Sequence, residues 1–145
     1  MDDLALGCGS GLQLSAVDLY AILRLRSEVF VVEQACVYLD PDGRDLDATT
    51  LHWWLRTPGG RLASYLRVLS QPDGGHQLGR IVTHPDHRGQ RVAGRLMQAA
   101  LGRCEPPVVL QAQSHLIDMY ARYGFVPHGA EYLEDGIAHT PMQLA

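Results

Sequence analysis

The sequence predicts an α/β fold, an α+β mixed sheet with helices packed against it. Two observations lead to this expectation. Segments with apolar residues at helical spacing alternate with short apolar segments typical of strands, and Gly or Pro residues separate them. The predicted order is helix, three strands, helix, strand, helix and two strands, with room for a short strand before the first helix. Strands joined partly by hairpins and partly by helices favour a mixed sheet.

The first predicted helix begins after Ser15 and runs to about residue 33. Ser15 and Asp18 resemble a capping box in which Asp takes the acidic role, and the apolar residues that follow have helical spacing. Residues 38–45, YLDPDGRD, combine Pro, Gly and Asp. That combination is typical of a loop.

Three strands are predicted after this loop. LHWWLR (51–56) and RLASYLRVL (61–69) flank Pro58-Gly59-Gly60 and favour an antiparallel hairpin. HQLGRIVTH (76–84) is a further strand, and Pro85 ends it.

The second half is expected to contain a helix, a strand, a short helix and two strands. The first of these helices has an apolar face formed by Val92, Ala93, Leu96, Met97, Ala100 and Leu101. VVLQAQ (108–113) is typical of a buried strand. Ser114 is predicted to cap the short helix and Gly124 to end it in a left-handed conformation. The last two strands are expected to meet at a turn near Asp135-Gly136.

The composition excludes several classes of function. With 145 residues, 46% hydrophobic and 19% charged, the chain fits one globular domain, residues 1–145. Every basic residue is arginine, so chemistry that needs a lysine, such as a Schiff base or a Walker-type phosphate loop, is excluded. The formal charge of −4 argues against nucleic acid as a partner.

Cysteine spacing and hydropathy predict a cytoplasmic protein. Cys8, Cys36 and Cys104 are odd in number and lack metal-ligand spacing, as expected of reduced thiols. The N-terminal residues do not resemble a signal peptide, and no apolar run approaches the length of a membrane span. We therefore expect neither a bound metal nor a membrane partner.

Charge is unevenly distributed along the chain. Residues 28–50 hold six acids and one arginine, whereas residues 80–103 hold five arginines and one acid. The first segment is a candidate for attracting a cation and the second for attracting an anion. Two solvated faces are the alternative interpretation.

Four segments in a fixed order resemble one family. The first two are LGRIVTHPDHRGQRVAGRLM (78–97) and HLIDMYARYGF (115–125), which are similar to the strand–turn–helix and the Tyr-x-x-x-Gly-Phe element of the GCN5-related N-acetyltransferases (GNAT). RSEVFVVEQ (26–34), followed by DGRD and His52, resembles the ElaA-like subgroup, as does EDGIAH (134–139). The resemblance extends from about residue 15 to the end and implies a central, mostly antiparallel twisted sheet flanked by helices.

The resemblance implies acetyl-CoA as cosubstrate, bound where strand 76–84 meets the helix that begins at residue 92. A helix N-terminus offers free N–H groups and the positive end of a dipole, which suits a diphosphate. The pantetheine is assigned to Ile81, Val82 and Thr83. The diphosphate is assigned to Arg88, Gly89, Gln90, Arg91, Val92, Ala93 and Gly94. The alternative is an ordinary strand–helix junction with a solvated arginine face.

Arg91 departs from the family pattern, which usually has glycine at this position. We expect Arg91 to enter the first helical turn with an ordinary right-handed φ, which any L-residue tolerates. Its N–H would then point inward and its side chain outward, toward the phosphates. Gly89 would form the tight turn, and Gly94 would let the helix lie close to the sheet.

The resemblance also assigns catalytic roles. The backbone N–H of Val82 is expected to stabilise the oxyanion. Tyr120 is expected to protonate the departing thiolate, with a core tyrosine as the alternative. Glu33 is a candidate for the general base. The histidines that compete for this role, because an unperturbed imidazole titrates near ~6.5, are His52, His115 and His139.

The acceptor site is assigned to Glu33, Asp45, His52 and His139. Asp42 and Asp45 either hold a cationic acceptor or shape their turn. The expected function is therefore the transfer of an acetyl group from acetyl-CoA to a primary amine by direct attack on the thioester. Neither the acceptor nor the oligomeric state follows from the sequence, although a homodimer formed through edge strands is common in this family.

Two other functions remain open at this point. The first is a non-catalytic acyl-CoA-binding or regulatory module on the same fold. The second is a metallohydrolase that uses His84, His87 and a further histidine, although no spacing in the sequence identifies that third ligand.

Overall fold

The computed structural model describes residues 3–145, so Met1 and Asp2, at the start of the segment without signal-peptide character, lie outside it. Within these residues the strands are β1 (Ala5–Ser10), β2 (Leu51–Arg56), β3 (Leu62–Ser70), β4 (His76–Thr83), β5 (Val108–Gln113), β6 (Phe125–Pro127), β7 (Tyr132–Glu134) and β8 (Ile137–Leu144). The α-helices are α1 (Ala16–Arg26), α2 (Val92–Leu101) and α3 (Ile117–Ala121).

The strands form one sheet in the order β1-β2-β3-β4-β5-β8-β6, with β7 also paired to β8. Of these pairs only β4 and β5 are parallel. The predicted mixed, mostly antiparallel sheet is therefore confirmed, and β1 is the short strand for which the sequence left room. None of the helices among residues 3–145 is long and apolar enough to cross a membrane.

Helices cover both faces of the sheet because successive side chains of a strand point to opposite sides. Trp53 and Leu55 of β2 pack in a core cluster with Leu96 and Met97 of α2, while Trp54 between them packs in a second cluster with Ile22 of α1. The apolar face predicted for α2 is thus confirmed. This apolar face of α2 covers one side of the sheet.

The first helix changes its winding before it ends. Ser15 Oγ accepts a hydrogen bond from the Asp18 N–H at 3.0 Å, as the predicted cap requires. After Arg26 the chain continues as a π-helical segment over residues 27–33. Wide turns of this kind are frequent at functional sites. This one ends at Glu33, where the sequence predicted the end of the helix.

The C-terminal part differs from the prediction of two strands. Three strands form instead, because β6 and β7 pair with different halves of β8. Pro127 and Pro141 lie where the two ladders are interrupted, and neither has an N–H to donate. The predicted cap at Ser114 was also wrong, since its hydroxyl bonds Thr140 Oγ1 at 2.8 Å and not the helix.

Candidate active site

A cleft opens where β4 and β5 part. The two strands pair over only three residues each, 76–78 with 108–110. Beyond them the register of β3 against β4 shifts between Tyr65 and Arg67, and Arg80 has a left-handed φ of 51°. Such a bulge inserts one extra residue and bends its strand. The strands diverge from this point and border a cleft of about 1140 Å³.

The bulge also changes which backbone groups of β4 face the cleft. The His76 N–H points toward β5, donating to Pro107 O at 3.0 Å, whereas the His84 N–H points toward β3, donating to Ala63 O at 2.8 Å. In an unbroken strand, residues an even number apart point to the same side. The extra residue reverses the direction in which the N–H groups after it point. Beyond the bulge, Ile81 and Thr83 therefore present their N–H groups to the cleft.

The expected role of the Val82 N–H is corrected by this geometry. Val82 lies two residues before His84, so its N–H points the same way, toward β3, where Val82 pairs with Tyr65. Its N–H therefore points into the sheet. Without the extra residue the Val82 N–H would have faced β5.

The turn into α2 borders the cleft and leaves the helix N-terminus uncapped. Arg91 directly precedes α2 with φ 58° and ψ 29°, and its side chain makes no capping hydrogen bond. The first N–H groups of a helix have no partner within it and are suited to an anion. This end of α2 is thus a candidate phosphate site.

The expectation that Arg91 has a right-handed φ was wrong. Arg91 is the residue before the helix, where the chain reverses after the turn at residues 85–87, and it is left-handed there. A left-handed conformation costs a non-glycine residue roughly 1–2 kcal/mol. Glycine at this position would avoid the cost.

Gly94 was expected to let α2 lie close to the sheet. The structure shows instead that it makes room for the side chain of Tyr123. A Cβ placed on Gly94 would overlap the hydroxyl of Tyr123, which reaches α2 from the residues after α3. The glycine thereby allows the end of α3 to pack against the start of α2. Both belong to the wall of the cleft.

Tyr120 lies on α3 with its ring buried and lines the same cleft. The Phe125 ring packs edge-on against it, with ring centroids 6.5 Å apart. Burial raises the pKa of Tyr120 to about 12. Its hydroxyl has no hydrogen-bond partner among residues 3–145. The phenol therefore stays protonated at neutral pH and is available to donate into the cleft.

Glu33 and Arg88 form an ion pair between two walls of the cleft. The Arg88 Nη1 and Nη2 atoms lie 2.6 and 2.7 Å from the two oxygens of Glu33, and Nε donates to Thr83 O at 3.2 Å. The hydrogen bond from Arg88 holds the pKa of Glu33 below its usual range. A carboxylate held in this way is a weak base.

The fold and this geometry agree with comparisons to known proteins. A sequence model described as an acetyltransferase (GNAT) domain matches residues 29–145. This chain belongs to the GNAT family. A UPF0039 protein of Mycobacterium tuberculosis is 49% identical over 89% of this chain and 85% of its own length. ElaA of Escherichia coli is 40% identical over 90% and 89% of the respective lengths.

Two solved structures extend the likeness to the whole fold. An acyl-CoA N-acyltransferase from Pseudomonas aeruginosa superimposes with a TM-score of 0.91, is 41% identical and covers 99% of this chain and 100% of its own. The crystal structure of E. coli ElaA has the same TM-score of 0.91, with 36% identity and coverage of 98% and 99%. GNAT proteins use acyl-CoA and an acceptor, so this chain is an acyltransferase by family.

Two of the residues that the sequence assigned to the acceptor lie outside the cleft in this GNAT chain. Asp45 is buried and bonds Arg26 at 2.7 Å and Arg67 at 2.9 Å. His52 is fully buried, with Nε2 2.8 Å from Asp45 O and Nδ1 2.6 Å from the Tyr65 hydroxyl. Because a carbonyl only accepts, Nε2 carries the proton and both ring nitrogens are satisfied.

Asp45 belongs to a buried ion cluster, which consists of Arg26, Asp40, Asp42, Asp45, Arg67 and Arg80. Its carboxylates hold the loop of residues 40–45 against α1, β3 and β4. The acids of segment 28–50 were expected to attract a cation from solution. Four of the six pair with the protein's own arginines: Glu33 with Arg88, and the three aspartates within the cluster. Shaping the loop is the role of those aspartates here.

His139, like Glu33, is an assigned acceptor residue that does line the cleft. Its ring stacks on Tyr132 with centroids 5.5 Å apart, and Nδ1 lies 2.8 Å from Ile137 O. His115 borders the cleft as well, at the start of the turn that leads into α3. His84 lies 3.3 Å from Glu28 at Nε2, and its Nδ1 accepts from the Asp86 N–H at 3.1 Å. Residues 3–145 contain no group of three His, Cys, Asp or Glu side chains arranged to hold a metal.

Two glutamines of the cleft wall were not predicted from the sequence. Gln111 and Gln113 of β5 both line it, and Gln113 Nε2 donates to Gln34 Oε1 at 3.3 Å, joining β5 to the end of the π-helical segment. Their alternation in the otherwise apolar VVLQAQ was a signal, because polar residues two apart share one face of a strand.

Proposed function

We propose that this protein transfers an acetyl group from acetyl-CoA to a primary amine by direct attack on the thioester. The observation that carries the proposal is the parting of β4 and β5, which brings a free strand edge, an uncapped helix N-terminus and a buried tyrosine to one cleft. The family's description as an acetyltransferase domain supports acetyl as the group transferred.

The free edge of β4 suits the pantetheine arm. Ile81 and Thr83 turn their backbone groups toward the cleft, so the amides of pantetheine can pair with them as a neighbouring strand would. The diphosphate would then lie at the N-terminus of α2, near the Thr83 end, and the thioester nearer the bulge. This order makes the Ile81 N–H, rather than that of Val82, the proposed donor to the oxyanion.

Tyr120 is the proposed general acid. When the neutral amine attacks the thioester carbonyl, the C–N bond forms and the nitrogen then gives up a proton to water. Collapse of the resulting tetrahedral intermediate breaks the C–S bond and releases a thiolate. The buried phenol of Tyr120 can donate its proton to the sulfur. The resulting phenolate is restored from solvent after the product leaves.

The acidic part of the cleft wall suits an amine. Glu134, Asp135 and His139 line it, and they offer two carboxylates and an imidazole to a cationic group. Glu33 remains the proposed base, but only once it is separated from Arg88. The amine must lose its proton before attack, and a free carboxylate can receive it directly or through water.

Turnover with a panel of amines, followed by release of free thiol, tests this function. The matched pair of variants is Tyr120→Phe and Tyr123→Phe. General acid catalysis contributes about 10²–10⁴-fold in rate, so Tyr120→Phe should lower kcat by a large factor with little change in acetyl-CoA affinity. Tyr123→Phe should stay close to wild type. Full turnover by Tyr120→Phe would remove it from the mechanism. Acetyl-CoA binding without thiol release for any amine would favour the non-catalytic module.

A further inference from the structure

The Glu33–Arg88 pair joins the end of the π-helical segment to the turn that leads into α2. The partners are 55 residues apart in sequence and 43% exposed at each side chain. All three guanidinium nitrogens of Arg88 are engaged, since Nε bonds Thr83 O while Nη1 and Nη2 hold the carboxylate. One forked face of the guanidinium is therefore fully used by Glu33.

We propose that the Glu33 carboxylate occupies the position on Arg88 that a phosphate of acyl-CoA takes, so that acyl-CoA binding displaces Glu33. The inference rests on the function proposed above. Carboxylate and phosphate oxygens suit the same planar fork of donors. Because Nε is held by Thr83 O, Arg88 keeps a single bidentate face, and the two anions exclude each other there.

Displacement prepares the second substrate. Without Arg88 the Glu33 carboxylate loses the partner that makes it a weak base, and it becomes free to pair with a cationic amine in the cleft. Coupling between binding sites is reciprocal. An amine that pairs with Glu33 frees Arg88, so each substrate favours binding of the other.

Calorimetric titration with coenzyme A, which lacks the acyl group and cannot react, measures the competition. Exposed ion pairs contribute little, so Glu33→Gln should bind coenzyme A about two- to fivefold more tightly than wild type. The matched control is Glu28→Gln, which removes the same charge from the same segment but lies against His84 and not Arg88. Its affinity should stay close to that of wild type.

Two further titrations assign the gain to Arg88 and to phosphate. In an Arg88→Gln background, Glu33→Gln should no longer tighten binding, because the interaction it relieves is absent. Pantetheine, which has no phosphate, should bind wild type and Glu33→Gln equally. Equal coenzyme A affinities of wild type and Glu33→Gln overturn the competition, as does a gain that persists with pantetheine. Failure of wild type to bind coenzyme A at all overturns the proposed function itself.

Discussion

The buried ion cluster and the Glu33–Arg88 pair are built from the same residue types and differ in what surrounds them. Arg26 has no exposed surface and meets Asp40 and Asp45 at 2.7 Å each, whereas Glu33 and Arg88 are 43% exposed. Burial makes a broken pair costly because the remaining charge has no water. Exposure makes exchange of partners easy. The cluster therefore holds the loop, and the exposed pair can respond to a ligand.

Arg26→Met breaks the cluster at its centre and should have the largest effect. Removing one partner of a buried pair costs about 3–5 kcal/mol, and here it leaves three carboxylates to share two arginines, Arg67 and Arg80. The free energy of unfolding from urea titration measures the loss. Arg88→Met serves as the control and should cost less than about 1 kcal/mol. Equal losses in the two variants would remove the distinction between the two regions.

Acid should weaken the cluster in a defined direction. The hydrogen bond from Arg67 holds the pKa of Asp42 well below its usual range. A lowered folded-state pKa contributes stability that is fully present above the unfolded value, about 4, and is lost as the pH falls toward the folded value. We expect the free energy of unfolding to fall below about pH 4 and the decline to be shallower in Asp42→Asn. A decline of the same slope in both proteins would assign acid sensitivity to other groups.

Arg91 should show that the turn beside the exposed pair is strained. Arg91→Gly removes the cost of holding a residue with a Cβ at a left-handed φ, and it should raise the free energy of unfolding by up to roughly 1 kcal/mol. The greater conformational entropy of glycine in the unfolded chain offsets part of this gain. Arg91→Ala keeps the Cβ and should give no gain. Both variants lose the same cation, so their coenzyme A affinities should fall together. A stabilisation shared by Ala would point to charge and not to backbone strain.

Arg91→Pro tests the same turn in the opposite sense. Proline is restricted to a φ near −65°, whereas this position has a φ of 58°. The turn cannot form around it, and coenzyme A binding should be lost beyond the level seen in Arg91→Ala. Calorimetry on the two variants compares them directly, and similar affinities would mean that the turn tolerates another conformation.

The smallest effect is expected for the Glu33–Arg88 coupling itself. A double-mutant cycle with Gln at both positions should give a coupling free energy of less than about 1 kcal/mol. This coupling should disappear at molar salt, where the Debye length is about 3 Å. The corresponding cycle for Arg26 and Asp45 should be larger and nearly independent of salt. Salt dependence of equal size in both cycles would contradict the difference in burial.

Most elements could be predicted because their signals are local. The apolar stripe of α2, the hairpin of β2 and β3 and the glycine that ends α3 each depend on residues a few positions apart. The family resemblance located the strand–turn–helix of the candidate site for the same reason. Roles that depend on residues distant in sequence were predicted less well: Asp45 and His52 were assigned to an acceptor and lie in the interior.

The backbone of β4 shows where the sequence stops being sufficient. The sequence identified residues 76–84 as a strand that Pro85 ends, and no residue in that segment marks Arg80 as the position of the bulge. The bulge depends on how β3 and β5 hold β4, and it decides that the N–H groups of Ile81 and Thr83, not that of Val82, face the cleft. The sequence by itself determined the elements, their order and the family, since periodicity and motifs are properties of neighbouring residues. Which amide faces the cleft, which arginine is strained and which carboxylate is buried were decided by tertiary structure, because each depends on strands and loops that meet only after folding.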